Sequence, residues 1–202
     1  MASDAQSEFD KSVRTANRIL DAKDGLIRSA GREDFYHAAW TSYVAGWDSY
    51  VKRVCREYIE KSNNALALGV SNQAVISSQA TNAQLISMYE KTIRSFNTPN
   101  FDNYSHLISI STGVAASGDW SWPSKNLSII DVKSRLDEAV KVRHSFAHGF
   151  AVRPIPNLAA LDGHNRISYR KTIFVRALLR HLVRTTDRSL NTSLKTNFFR
   201  SF

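Results

Sequence analysis

Apolar residues recur along this chain at three- and four-residue steps, in long stretches separated by Gly, Pro, Asn and Ser, which is the pattern of amphipathic helices. Phe9, Val13, Ala16, Leu20 and Ile27 predict a first helix over about Ser3–Ile27. A second, over Arg32–Lys61, carries Phe35, Tyr36, Trp40, Tyr43, Trp47, Tyr50 and Tyr58. Aromatic side chains at helical spacing are read as core, although such a stripe also has the chemistry to stack nucleobases.

After a softer region through Asn63–Asn64 and Gly69, the spacing predicts a helix over Ser71–Phe96, ended by Pro99. A shorter helix is expected over Asp102–Gly113. Trp120, Trp122 and Pro123 then read as an ordered cap on the bundle, since a disordered linker rarely contains two tryptophans. Ser128 is the expected N-cap of a helix reaching about Phe150, with Asp131 completing a capping box. Arg153-Pro154-Ile155-Pro156 interrupts it. The last helix, about Ile167–Phe198, turns Val175, Leu178, Leu179, Leu182 and Leu190 inward and a stripe of Arg176, Arg180, Arg184 and Arg188 outward. The fold class is therefore all-α: an up-and-down helical bundle with additional helices, one domain over 1–202, with residues 1–30 as an N-terminal extension or arm.

Composition narrows the partners. The formal net charge is +9, and from His164 onward every charged residue except Asp187 is Lys or Arg, so polyanions are the favoured partners. The single cysteine, Cys55, excludes an intramolecular disulfide framework and a cysteine-rich zinc site. The polar N-terminus and the lack of a long apolar run predict a soluble, cytoplasmic protein with no membrane partner.

Candidate chemistry concentrates in Lys141-Val142-Arg143-His144-Ser145-Phe146-Ala147-His148-Gly149. At about 100° per residue, Arg143, Ala147, His144 and His148 fall within an arc of about 140°, while Ala139, Val142 and Phe146 fall on another side, expected to enter the core. A fixed cation beside two imidazoles suits phosphate chemistry. The competing structural reading is that Arg143 and the histidines only interact with the helix dipole and its last carbonyls. A zinc site on His144 and His148 is disfavoured by Arg143 beside them and by the lack of a His-Glu-x-x-His pattern. Arg and His separated by four residues also occur at Arg32/His37 and Arg176/His181, so that spacing alone has little specificity. His37, His106, His164 and His181 are read as structural or surface groups. Arg176, Arg180 and Arg184, with Lys141 and Arg153, are candidate contacts to an RNA backbone, or else a solvated face.

Arg143-His144-Ser145-Phe146-Ala147-His148-Gly149 resembles the motif of the HEPN superfamily, in which an Arg is followed after four to six residues by His, in the form seen in the RiboL-PSP-HEPN branch. The aromatic helix from Trp40 to Tyr58, Phe96-Asn97-Thr98-Pro99, a helix ending in Thr112-Gly113 and Asp119-Trp120-Ser121-Trp122 are similar too, so that the resemblance covers about residues 30–195. It implies a metal-independent endoribonuclease without a cofactor, in which Arg143 stabilises the scissile phosphate, His148 is the main acid/base group and His144 assists. The products would be a 2′,3′-cyclic phosphate and a 5′-hydroxyl. It further implies a homodimer with a composite active site, acting on RNA as a toxin or antiviral defence effector, with a cognate antitoxin or other defence partner. Related toxins carry an adenylylated Tyr two residues after the motif His; here that residue is Phe150, which excludes that modification. The alternative is a catalytically silent HEPN module that binds RNA or a partner protein.

Overall fold

The computed structural model describes residues 3–22, 29–62, 82–94, 100–149 and 154–199. Seven α-helices account for most of these: α1 (Asp4–Ala22), α2 (Ser29–Ser62), α3 (Asn82–Arg94), α4 (Phe101–Thr112), α5 (Ile129–Ala147), the single-turn α6 (Pro156–Ala159) and α7 (Tyr169–Phe199). Short 3-10 turns at Ala116–Asp119 and Pro123–Lys125 join α4 to α5. Among the described residues there is no strand, only an isolated bridge between Trp122 and Leu127. The expected helix start at Ser71, the Phe96–Pro99 segment, Phe150 and Arg153 lie outside the described residues.

The aromatic stripe of α2 forms the centre of the core. Trp40, Tyr43, Trp47 and Tyr50 are buried, and Trp47 meets Tyr104 of α4 and Trp120 edge-on at 5.6 and 5.7 Å. Two of the buried indole nitrogens find acceptors. Trp120 Nε1 donates to Thr186 Oγ1 of α7 at 2.9 Å, and Trp40 Nε1 donates to the Ala139 carbonyl of α5 at 2.9 Å. Trp120 is thus the buried cap expected from the sequence, whereas Trp122 is half-buried and stacks on His181.

Helix α1 buries Ala5, Phe9, Val13, Ala16 and Leu20 against α2. The two helices approach closely at Gly46, where an added Cβ would lie 3.1 Å from Ser12 Cβ. Two carboxylates hold the start of α1: Asp187 accepts from Ser3 N and Ser3 Oγ, and Glu57 accepts from Asp4 N. Asp187 is buried and also accepts the Tyr50 hydroxyl at 2.7 Å, so the one acidic residue of the basic C-terminal stretch acts inside the protein.

Helix α5 begins as its sequence dictates. Ser128 Oγ accepts from Asp131 N and Asp131 accepts from Ser128 N, a complete capping box. Its first turns bury Val132, Leu136 and Ala139.

Candidate active site

The helix that carries the motif stops at Ala147, short of the expected Phe150, and His148 is its C-cap. Backbone N–H groups of His148 and Gly149 reach back to the carbonyls of His144 and Phe146, both at 3.2 Å. Gly149 has φ +66°, the left-handed conformation that closes helices and favours glycine. An added Cβ there would meet nothing within 4 Å, so the requirement for glycine is conformational.

This ending splits the motif between inside and outside. His144 and His148 are exposed, with ring centroids 4.4 Å apart and planes tilted by 52°. Arg143 is half-buried, because it continues the meridian along which Val132 and Leu136 enter the core. Its charge acts on Tyr104 of α4, whose hydroxyl donates to Asp48 Oδ1 at 3.3 Å. Burial pushes the Tyr104 pKa up, the Asp48 carboxylate pushes it further, and the Arg143 guanidinium opposes both. Neither Tyr104 nor Asp48 carries a sequence signal of its own, since they meet only through the packing of α2 and α4.

Lys141 is exposed and lies seven residues before His148, on nearly the same meridian of α5, so it extends the cationic face. Phe146 corrects the sequence expectation. It is 46 % exposed rather than part of the core, and its ring packs on His37 of α2 with centroids 5.2 Å apart. His37 itself is half-buried, and its Nδ1 is buried with no hydrogen-bond partner among the described residues. Burial lowers its pKa, opposed by Glu33 and Asp34. The packing of His37 on Phe146 fits its reading as a structural group.

The arginine stripe divides in the same way. Arg176 is half-buried and donates to Asn17 Oδ1 at 2.9 Å, and Arg180 lies 4.0 Å from Asp10, so both side chains engage α1. Arg184 is exposed. It lies ten residues beyond Phe174, which faces Arg135, and so is about 15 Å further along α7, away from the motif end. The other two Arg/His pairs at the same spacing are occupied by packing. His181 meets the Ser121 carbonyl at 2.9 Å and stacks on Trp122, and His37 packs on Phe146. Among the three, only Arg143/His148 has an exposed histidine.

Glu138, which has no sequence signal as a site residue, anchors the chain on the C-terminal side of the motif. Its buried carboxylate accepts from Asn157 N, Asn157 Nδ2 and Leu158 N at 2.7–2.9 Å, capping α6. Fully buried Lys171 organises the next connection through Asp162 at 2.6 Å and the carbonyls of Arg166 and His164. His144 and His148 are two donors, fewer than the three or four protein ligands of a zinc site. Among the described residues no group of three His, Cys, Asp or Glu is placed to hold a metal, and no helix is long and apolar enough to cross a membrane.

Compared with known proteins, the chain matches the family model described as RiboL-PSP-HEPN over residues 7–192, from α1 through most of α7. No curated protein and no solved structure matches it. The match spans nearly the whole bundle, and the chain belongs to the RiboL-PSP-HEPN family.

Proposed function

We propose that the chain is a metal-independent endoribonuclease whose reacting groups are Arg143, His144 and His148. The observation that carries this reading is the exposed pair of imidazoles, 4.4 Å apart, on the same turn as a half-buried arginine. Imidazoles exchange protons near neutral pH, and a guanidinium held partly out of water is a strong partner for a phosphoryl oxygen. A histidine removes the proton of the RNA 2′-hydroxyl as its oxygen attacks the adjacent phosphorus. A second protonates the departing 5′-oxygen, and Arg143 stabilises the extra negative charge on phosphorus-bound oxygens. A 2′,3′-cyclic phosphate and a 5′-hydroxyl result.

The ring separation bears on how acid and base are divided. Attacking and leaving oxygens lie on opposite sides of phosphorus, whereas imidazoles 4.4 Å apart are in contact and leave no space for a phosphate between them. His148, assisted by His144, therefore acts on one side, and a second copy of the chain supplies the other in an isologous dimer. Exposed Ala147 lets the two motif turns approach. Action as a toxin or antiviral defence effector, restrained by an antitoxin or another partner, is the biological setting we attach to this activity.

The test is incubation of purified protein with a mixed RNA pool in EDTA, wild type beside His148→Ala. Cleavage by wild type alone, with 2′,3′-cyclic phosphate ends, is expected. Absence of cleavage with RNA binding retained replaces this reading with that of a silent RNA-binding module.

A further inference from the structure

Large apolar side chains of the described residues are 46 % exposed at Phe146, 47 % at Tyr169 and 73 % at Ile130, and the first two share the motif end of the bundle. Each of these two rings is braced by a ring of α2. His37 lies against Phe146 with centroids 5.2 Å apart, and Tyr36 lies against Tyr169 at 6.1 Å. Because Tyr36 and His37 are consecutive, the first turn of α7 and the last turn of α5 both pack against the same part of α2. Half-exposed aromatic rings are costly to leave in water, and a braced cluster of them marks a binding surface.

We propose that Phe146 and Tyr169 form a stacking platform for the bases of single-stranded RNA on either side of the phosphate held by Arg143. This rests on the assignment of Arg143, His144 and His148 as the phosphodiester site. Phe146 is three residues from Arg143 on the same helix, so their Cβ atoms are about 5–6 Å apart, the reach between a phosphate and a neighbouring base. The surroundings favour a polyanion over a protein partner. Arg166 and Arg170 flank Tyr169 and are exposed, and exposed Arg32 lies one turn before Tyr36, against Glu33 and Asp34. Ring faces rimmed by cations favour unpaired bases, which can stack on them whatever their sequence. A duplex keeps its bases stacked on one another and cannot use such a platform.

Binding of a fluorescein-labelled single-stranded oligoribonucleotide is to be followed by anisotropy in a His148→Ala background, so that the strand stays intact. Phe146→Leu and Tyr169→Leu keep the apolar bulk and remove the π-face. Each is expected to weaken binding about tenfold, the scale of one lost base stack. An abasic site next to the scissile position should weaken binding to the unsubstituted background to a similar degree, and a duplex of the same sequence should be unaffected by either substitution. Background-like affinity in both leucine variants overturns the platform, and cleavage of the RNA pool by the unsubstituted protein then leaves the cleavage reading intact. Leucine variants that bind normally while alanine variants turn a dimer monomeric in sedimentation identify the patch as a contact with a second copy and also overturn it. If the parent protein neither binds nor cuts RNA, the functional reading fails first and the platform with it.

Discussion

The carboxylate of Glu138 accepts the backbone N–H of Leu158 at 2.8 Å, which ties the chain beyond the motif turn back onto the helix that carries it. The same carboxylate serves Asn157, so its removal leaves buried donors without partners. Glu138→Ala is expected to lower the unfolding free energy in urea by about 2–4 kcal/mol, and Glu138→Gln, which keeps one acceptor oxygen, by about half as much.

Arg143 is predicted to be irreplaceable by lysine. A guanidinium binds two oxygens at once from a partly buried position, which an ammonium does not reproduce. On the proposed chemistry, Arg143→Lys and Arg143→Ala both lower kcat on RNA by about 10²- to 10³-fold, with a much smaller change in KM. Equal kcat in wild type and Arg143→Lys would show that only net charge is needed.

Stability should fall on mild acidification through His37. Its folded pKa lies below the ordinary value of 6.5, chiefly from burial. Below pH 6.5 the unfolded chain therefore binds more protons than the folded one, and stability declines as pH falls from there toward the folded pKa. His37→Phe keeps the ring contact with Phe146 and should flatten this part of the stability–pH curve measured by thermal melts. An unchanged slope in the variant would assign the effect to other groups.

A second, more acidic limb belongs to Asp162. Burial raises its pKa, but hydrogen bonds from Lys171 and Ser168 outweigh that and bring it down to about 2. The stabilisation is present above the ordinary carboxylate value of 3.8 and is lost as pH falls from there to about 2. Lys171→Met removes the buried partner, costs about 3 kcal/mol at neutral pH, and should shrink the limb to what the hydrogen bonds from Ser168 and the His164 backbone sustain.

Gly149→Ala places a side chain at φ +66° and is expected to cost about 1–2 kcal/mol. Because the strained residue is next to His148 in the chain, cleavage should drop more than melting temperature predicts. Unaltered cleavage with the expected loss of stability would show that the turn need not be rigid.

Much of the bundle is legible in the residues alone, because burial of an amphipathic face is a local property. The spacing of Phe9, Val13, Ala16 and Leu20, the capping box at Ser128 and Asp131, and the aromatic stripe of α2 each specify their element without reference to anything distant. The arc holding Arg143, His144 and His148 is legible for the same reason, since it derives from helical geometry.

The environment of each of those side chains is not a local property. Arg143 is half-buried because it continues the meridian of Val132 and Leu136 and lies near Tyr104 of α4, and Phe146 is half-exposed because at its turn α2 supplies, among the described residues, only the His37 ring. Arg176 and Arg180 leave the expected cationic stripe because α1 brings Asn17 and Asp10 to them. The sequence by itself determined the helices and the kit of cation and imidazoles. Only the tertiary structure decided which of those groups face water, because burial depends on neighbours supplied from elsewhere in the chain.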